Sequence, residues 1–426
     1  MVEWRKVLPR MALAIGLCSV LVCVGPGGSA VATSDDAAFS RAVRAILALP
    51  YQPAYVPAGL DSAFPGQNVA NDYPVEDYTS GSIPGNPDHP SWPAVFKQVT
   101  FPSQDGTTLI GELALLPGHH PAVLVVHGFD THGIESVIRW AAMLAVNGYD
   151  VLAADQRDFY WEYNAGYGYP NNLQTLGWKE SQDVLAGGQF LAAQPGVTSV
   201  GVVGFSEGAQ NTVLALSQDR SHIFSAGITF SGPADQDTQI YSTAQPPNCQ
   251  SPNCTYPATD ALIAVVVPPY GHYNDPCTVL SDAGAYYGVT PYSILTHETA
   301  MHAQTAVAVP LLNFYSADDS LVSPVNAQLM SAYEQGNPLQ RTIEIQHGEH
   351  AYFYDRWWQQ VAILTYFHRL LPTGHRAQVA ATVNQMAGGM PLSSQIVNFQ
   401  VPTRPQADSM LAPYICDTSQ PPPGNQ

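Results

Sequence analysis

The chain has 426 residues, room for two or three average domains or for one large α/β domain with insertions. Hydrophobic residues make up 46% and charged residues 12%, which excludes a wholly disordered chain. Lysine and arginine number 15 against 34 aspartate and glutamate, a net charge of −19, so no nucleic acid partner is expected: no basic patch is available to cover a phosphate backbone.

In chain order, Arg5, Lys6 and Arg10 come first, ahead of an apolar run from Met11 to Val24 and then Gly25-Pro26-Gly27-Gly28. A basic start, a short apolar middle and a small-residue end are the layout of a secretory signal peptide, with Ala30-Val31-Ala32 as the cleavage site. The run is shorter than the roughly 20 apolar residues that span a bilayer. Residues 1–32 are therefore expected to be removed, with no stable membrane anchor; an uncleaved N-terminal anchor is the alternative. Removal leaves 12 basic against 33 acidic residues, a net −21. The expected localisation is secreted, in the extracellular, periplasmic or cell-wall space. Cys249, Cys254, Cys277 and Cys416 then remain, an even number that in an oxidising compartment predicts two disulfides with the pairing open. Their spacing lacks a C-x-x-C pair and no histidine pattern completes a site, so no metal is expected; no cofactor is expected either.

Residues 33–94 read as a Pro/Gly-rich N-terminal arm, with a short helical pattern at Phe39, Val43, Ile46 and Leu47 and no periodicity after it. A domain core is expected over 95–232 and 308–371. Val95 to Phe101 alternates like a strand, Asp105-Gly106 signals a turn, and Thr108 to Leu116 is the hairpin partner. Ala122 to Val126 is a continuous apolar run, the mark of a strand covered on both faces; His127-Gly128-Phe129 and a helix near Ser136 to Val146 follow. Tyr149 to Ala154 is the next buried strand, ending in Asp155-Gln156-Arg157, which reads as a structural turn with an ion pair. A helix over Lys179 to Ala193 and strands at Val200 to Val203, Ala226 to Phe230, Val309 to Tyr315 and Arg341 to Ile345 complete the pattern. Strand and helix alternate, which predicts an α/β fold with a mostly parallel central sheet and helices on both faces. Residues 233–307 interrupt the alternation with three cysteines and an apolar patch at Ala261 to Val267, and are expected to form an inserted cap. Residues 372–426 are a C-terminal extension, expected to be tied back through Cys416.

Gly204-Phe205-Ser206-Glu207-Gly208 is G-x-S-x-G placed directly between a buried strand and a helical pattern, the setting of a nucleophile elbow. A serine hydroxyl needs a base, and the base an orienting acid, so later strands are searched for an acid and then a histidine. The strand ending at Tyr315 leads into Ser316-Ala317-Asp318-Asp319; Asp319 is favoured as the acid, with Asp318 as the alternative. Ile343-Glu344-Ile345 runs into His347-Gly348-Glu349-His350; His350 is favoured as the base, with His347 as the alternative. Two backbone donors, the N–H groups of Glu207 and Phe129, are expected to form the oxyanion hole. His127 reads as a structural hydrogen-bonder beneath that loop.

On these residues, from about Val95 to Leu371, the chain resembles the α/β-hydrolase superfamily, nearest to its esterase and dienelactone-hydrolase-like branches. The resemblance implies an eight-stranded sheet and hydrolysis through an acyl-enzyme, with a small-molecule or lipid ester as substrate. A serine peptidase, an acyltransferase and a non-catalytic secreted binding protein are the alternatives. The long arm, the cysteine-bearing insertion and the extended tail depart from the family's pattern and leave the substrate open.

Overall fold

The computed structural model describes residues 34–51, 96–129, 133–157, 174–236, 238–239, 276–295, 297, 299–319, 321–348, 350, 357–374 and 390–411. The segment expected to be cleaved, most of the arm, the patch from Ala261 to Val267, and Cys249, Cys254 and Cys416 lie outside them, as does the side chain of Cys277.

The continuous apolar runs become the centre of one sheet because a strand covered on both faces has no polar side to present. The strands are β1 (Lys97–Pro102), β2 (Thr108–Ala114), β3 (His120–Val126), β4 (Asp150–Ala154), β5 (Val197–Phe205), β6 (Phe224–Phe230), β7 (Leu311–Ser316) and β8 (Gln340–Ile345). Their order is β1-β2-β4-β3-β5-β6-β7-β8, with β1 antiparallel to β2, β2 antiparallel to β4, and every later pairing parallel. The expected mostly parallel α/β sheet is therefore present, and the Asp105-Gly106 turn joins its antiparallel opening pair, with Phe101 opposite Leu109. The apolar run at Val200 to Val203 marked only the doubly covered part of β5. The first three residues of that strand are not buried and carry no continuous apolar signal.

The covering helices are α1 (Ser34–Leu47), α2 (Ile134–Val146), α3 (Glu180–Ala192), α4 (Glu207–Gln218), α5 (Pro276–Tyr287), α6 (Val325–Glu334) and α7 (Trp357–Leu370). Two apolar layers result. One holds the odd face of β3 with α2, α7 and α1, whose Phe39, Ala42 and Ile46 are buried in it; the other holds the opposite face with α3, α4 and α6. The helical start of the arm is thus part of the domain core. A third, smaller apolar group joins Leu280 and Ala283 of α5 and Ile294 and Leu295 to Leu176, with Phe129, Trp178 and Tyr287 packed at its margin.

The tail meets the end of the edge strand β8. Val397 N–H donates to Glu344 O at 2.8 Å and Gln346 N–H to Gln395 O at 2.7 Å, a single antiparallel bridge between Ile396 and Ile345 at the end of β8, while Leu392 N–H reaches back to Leu49 O at 2.6 Å.

The Asp155-Gln156-Arg157 turn holds the ion pair expected of it. Arg157 is buried and donates through Nε and Nη2 to both oxygens of Asp183, at 2.9 and 2.7 Å, and through Nη1 to Asp105 at 2.8 Å and to the Tyr287 hydroxyl at 3.1 Å. Burial opposes the charge on Asp105, but the hydrogen bonds and charge of Arg157 outweigh it and hold the carboxyl well below the usual carboxylate range. One guanidinium thereby fastens the β1–β2 turn, α3 and α5 to the end of β4. Among the described residues no helix is long and apolar enough to cross a membrane.

Candidate active site

β5 runs straight into α4 through Ser206, whose φ of 54° and ψ of −125° lie where side chains other than glycine are strained. The two flanking glycines make the turn possible. A Cβ on Gly204 would collide with the carbonyl oxygen of Gly208 and with Thr212 Oγ1, and one on Gly208 would collide with the carbonyl of His127. The elbow thus presses the start of α4 against the end of β3. Ser206 alone in the stretch from Val200 to Leu216 is not buried.

β7 and β8 end beside this turn. His350 Nε2 lies 2.9 Å from Ser206 Oγ, and His350 Nδ1 lies 3.0 and 2.9 Å from the two oxygens of Asp319. Asp319 Oδ1 also accepts the N–H groups of Leu321 and Val322 at 2.9 and 2.8 Å, which fixes the carboxylate from behind. The side chains of His350 and Asp319 are 4% and 1% exposed, so water does not compete for their hydrogen bond. A carboxylate accepts only, so Nδ1 carries the proton and Nε2 is left to accept from the serine hydroxyl.

The two alternatives pair with each other. His347 Nδ1 lies 3.3 Å from Asp318 Oδ2, with the histidine side chain 65% exposed. Asp318 Oδ1 accepts from Ser316 Oγ at 2.6 Å and from Gly348 N–H at 2.9 Å. That outer pair ties the loop after β7 to the loop after β8, whereas the inner pair reaches Ser206. Sequence spacing carried no signal for this second pairing.

Of the expected backbone donors, Glu207 is the first residue of α4, where N–H groups have no partner in the helical ladder and can receive negative charge. Phe129 follows β3 in the loop against which Gly208 is pressed, with its side chain half-buried against the small apolar group of Leu176, Leu280 and Ile294.

An eight-stranded sheet of this order, with its second strand antiparallel, carries a strained serine after the fifth strand and an acid and a histidine after the seventh and eighth. This is the α/β-hydrolase fold. No family model matches the chain. It is 31% identical over 128 residues to a thiohydrolase of Aspergillus aculeatus, a match over 29% of this chain and 38% of that relative's length. Among solved hydrolase-fold structures it is similar to the Pyrococcus furiosus esterase Pf2001, at 18% identity and a TM-score of 0.43, over 72% of this chain and 97% of the esterase. It is also similar to a 2,6-dihydroxy-pseudo-oxynicotine hydrolase, at 14% identity and a TM-score of 0.46, over 66% and 71% of the two chains. A third likeness is to the Pyrococcus horikoshii acylaminoacyl peptidase, at 17% identity and a TM-score of 0.44, over 68% and 44%.

Proposed function

We propose that the protein is a serine hydrolase that cleaves a carboxylic ester of a small molecule or lipid through an acyl-enzyme. The observation that carries this reading is the unbroken run of hydrogen bonds from Ser206 Oγ through His350 to Asp319. In the proposed reaction Ser206 Oγ attacks the carbonyl carbon while His350 Nε2 takes its proton, and the Glu207 and Phe129 N–H groups receive the charge that forms on the carbonyl oxygen. His350 returns the proton to the leaving alcohol. Water then repeats the sequence on the acyl-enzyme and frees Ser206. Asp319 keeps the imidazole in the tautomer that the first step requires and stabilises it once protonated.

An apolar substituent next to the scissile bond suits the surroundings, since Phe129 shares its packing with Trp178, Tyr287 and Leu280. The partial likeness to a protein named a thiohydrolase makes a thioester the second substrate of interest. The reaction is proposed to take place outside the cytoplasm after loss of residues 1–32, a point that N-terminal sequencing of exported protein decides.

The test is a panel of p-nitrophenyl esters and acyl thioesters of increasing chain length, run beside a fluorophosphonate probe with the labelled peptide identified by mass spectrometry. Ester or thioester turnover with label on Ser206 is the expected result. Cleavage of peptide amides alone makes the protein a peptidase, and transfer to added alcohols in preference to water makes it an acyltransferase. Absence of both label and turnover leaves it a binding protein.

A further inference from the structure

A chain of buried polar groups runs from α4 to the loop that carries Phe129, and its geometry settles which way one peptide group faces. His127 is fully buried. The backbone N–H of Gln156 donates to His127 Nε2 at 3.2 Å, so that nitrogen bears no proton; the proton is on Nδ1, which donates to the Gly128 carbonyl at 2.7 Å. Asp155 Oδ1, 3.6 Å from the same Nε2, is therefore next to a neutral ring, and it accepts the Ile134 N–H at 2.9 Å at the start of α2. The Gln156 side chain donates to the His127 carbonyl at 3.0 Å and accepts from Asn211 Nδ2 on α4, five residues beyond Ser206. Gln156 and Asn211 are buried as well.

The carbonyl of Gly128 and the N–H of Phe129 belong to one planar trans peptide, so they point in opposite directions. Holding the carbonyl toward the buried ring turns the N–H outward. Without that hold, Gly128 lets this peptide rotate at little cost, because glycine accepts dihedrals that other residues avoid. We propose that His127, clamped by Gln156 and Asn211, is a positioning residue that fixes the direction of the Phe129 N–H and keeps it in register with the helix that follows Ser206. The inference rests on the hydrolase reading above, in which that N–H receives the oxyanion.

Three variants test it, with kcat, KM and the inhibition constant of an alkylboronic acid measured for each. The boronate forms a tetrahedral adduct on the serine and places an oxygen where the oxyanion forms. His127→Leu removes the ring donor; His127→Asn keeps a donor near the position of Nδ1; Gln156→Met breaks the clamp and leaves the ring. Deleting an oxyanion donor outright costs about 10²–10³ in kcat, so losing control of its direction is expected to cost about 10–100-fold. His127→Leu should lower kcat by that factor with KM nearly unchanged and weaken the boronate in proportion, because the contact is made in the transition state and not in the ground state. His127→Asn should recover most of the loss, and Gln156→Met should fall between.

A His127→Leu protein with wild-type kcat and boronate affinity overturns the proposal, and so does equal impairment of the Asn and Leu variants. If the Leu variant does not fold, a Gln156→Met protein that matches wild type in both readouts overturns it. Ser206→Ala separates the two levels. Turnover surviving that change removes the hydrolase reading and this inference with it, whereas a dead Ser206→Ala beside normal His127 variants removes this inference alone.

Discussion

Glu112 offers a stability test that is independent of the chemistry at Ser206. It sits on β2 opposite Ala153, 1% exposed, on the face of the sheet that α2 covers, and neither carboxyl oxygen has a hydrogen-bond partner among the described residues. Burial alone pushes its pKa from the ordinary 4.5 to about 7. In the unfolded chain Glu112 loses its proton near 4.5, while the folded protein keeps it until about 7. The folded state binds the extra proton, so stability falls as pH rises across that window and the loss is complete above it. The interval from 4.5 to about 7, at about 1.4 kcal/mol for each pH unit, amounts to about 3 kcal/mol. Glu112→Gln does not titrate, and its amide is as short of partners as the protonated acid. The variant should match wild type near pH 4 and exceed it by about 3 kcal/mol at pH 8. Glu334 and Glu344 are also raised to about 7, mainly by burial, but they are common to both proteins and cancel in the difference. Urea unfolding followed by tryptophan fluorescence at pH 4, 6 and 8 measures it. A constant difference between the two proteins at all three pH values would mean that Glu112 is solvated or paired, and would refute the reasoning.

Other substitutions probe the elbow, the choice of base and the buried arginine. Gly208→Ala drives a Cβ into the His127 carbonyl; α4 must move away from β3, and kcat in an ester assay should fall by about 10² for a displacement of roughly an ångström at Ser206. His350→Ala should lower kcat by about 10⁴-fold or more, whereas His347→Ala, which removes an exposed pair with Asp318, should stay within a few-fold; equal losses would reverse the assignment of the base. Arg157→Met leaves Asp183 buried without its partner and should cost about 3–5 kcal/mol in denaturant unfolding. The depressed carboxyl of Asp105 contributes stability that is present above the unfolded aspartate value of about 4 and is lost as pH falls below it. Acid titration of wild type should therefore show a steeper loss below pH 4 than titration of the arginine variant.

The sheet was legible along the chain because its strands are covered on both faces and thus written as unbroken apolar runs; β3 and β4 stand out within a few residues of their true ends. The elbow was legible because two glycines at fixed offsets are the steric condition for the turn at Ser206. The helix α1 was harder to place: its apolar positions predict a helix, but nothing in their spacing says that Phe39 and Ile46 pack into the same layer as α7. The bridge from the tail to the end of β8 is equally silent, because backbone hydrogen bonds carry no side-chain signature.

By itself the sequence determined the order of elements, the parallel sheet and a short set of residues in which an acid and a base had to be sought. Only the tertiary structure decided that Asp319 and His350 face Ser206 while Asp318 and His347 face solvent and each other. It alone decided that Gln156 and Asn211 meet behind His127. Hydrophobic periodicity is a local property and is recorded locally, whereas a hydrogen bond between residues 144 positions apart, as between Ser206 and His350, depends on where two loops end in space.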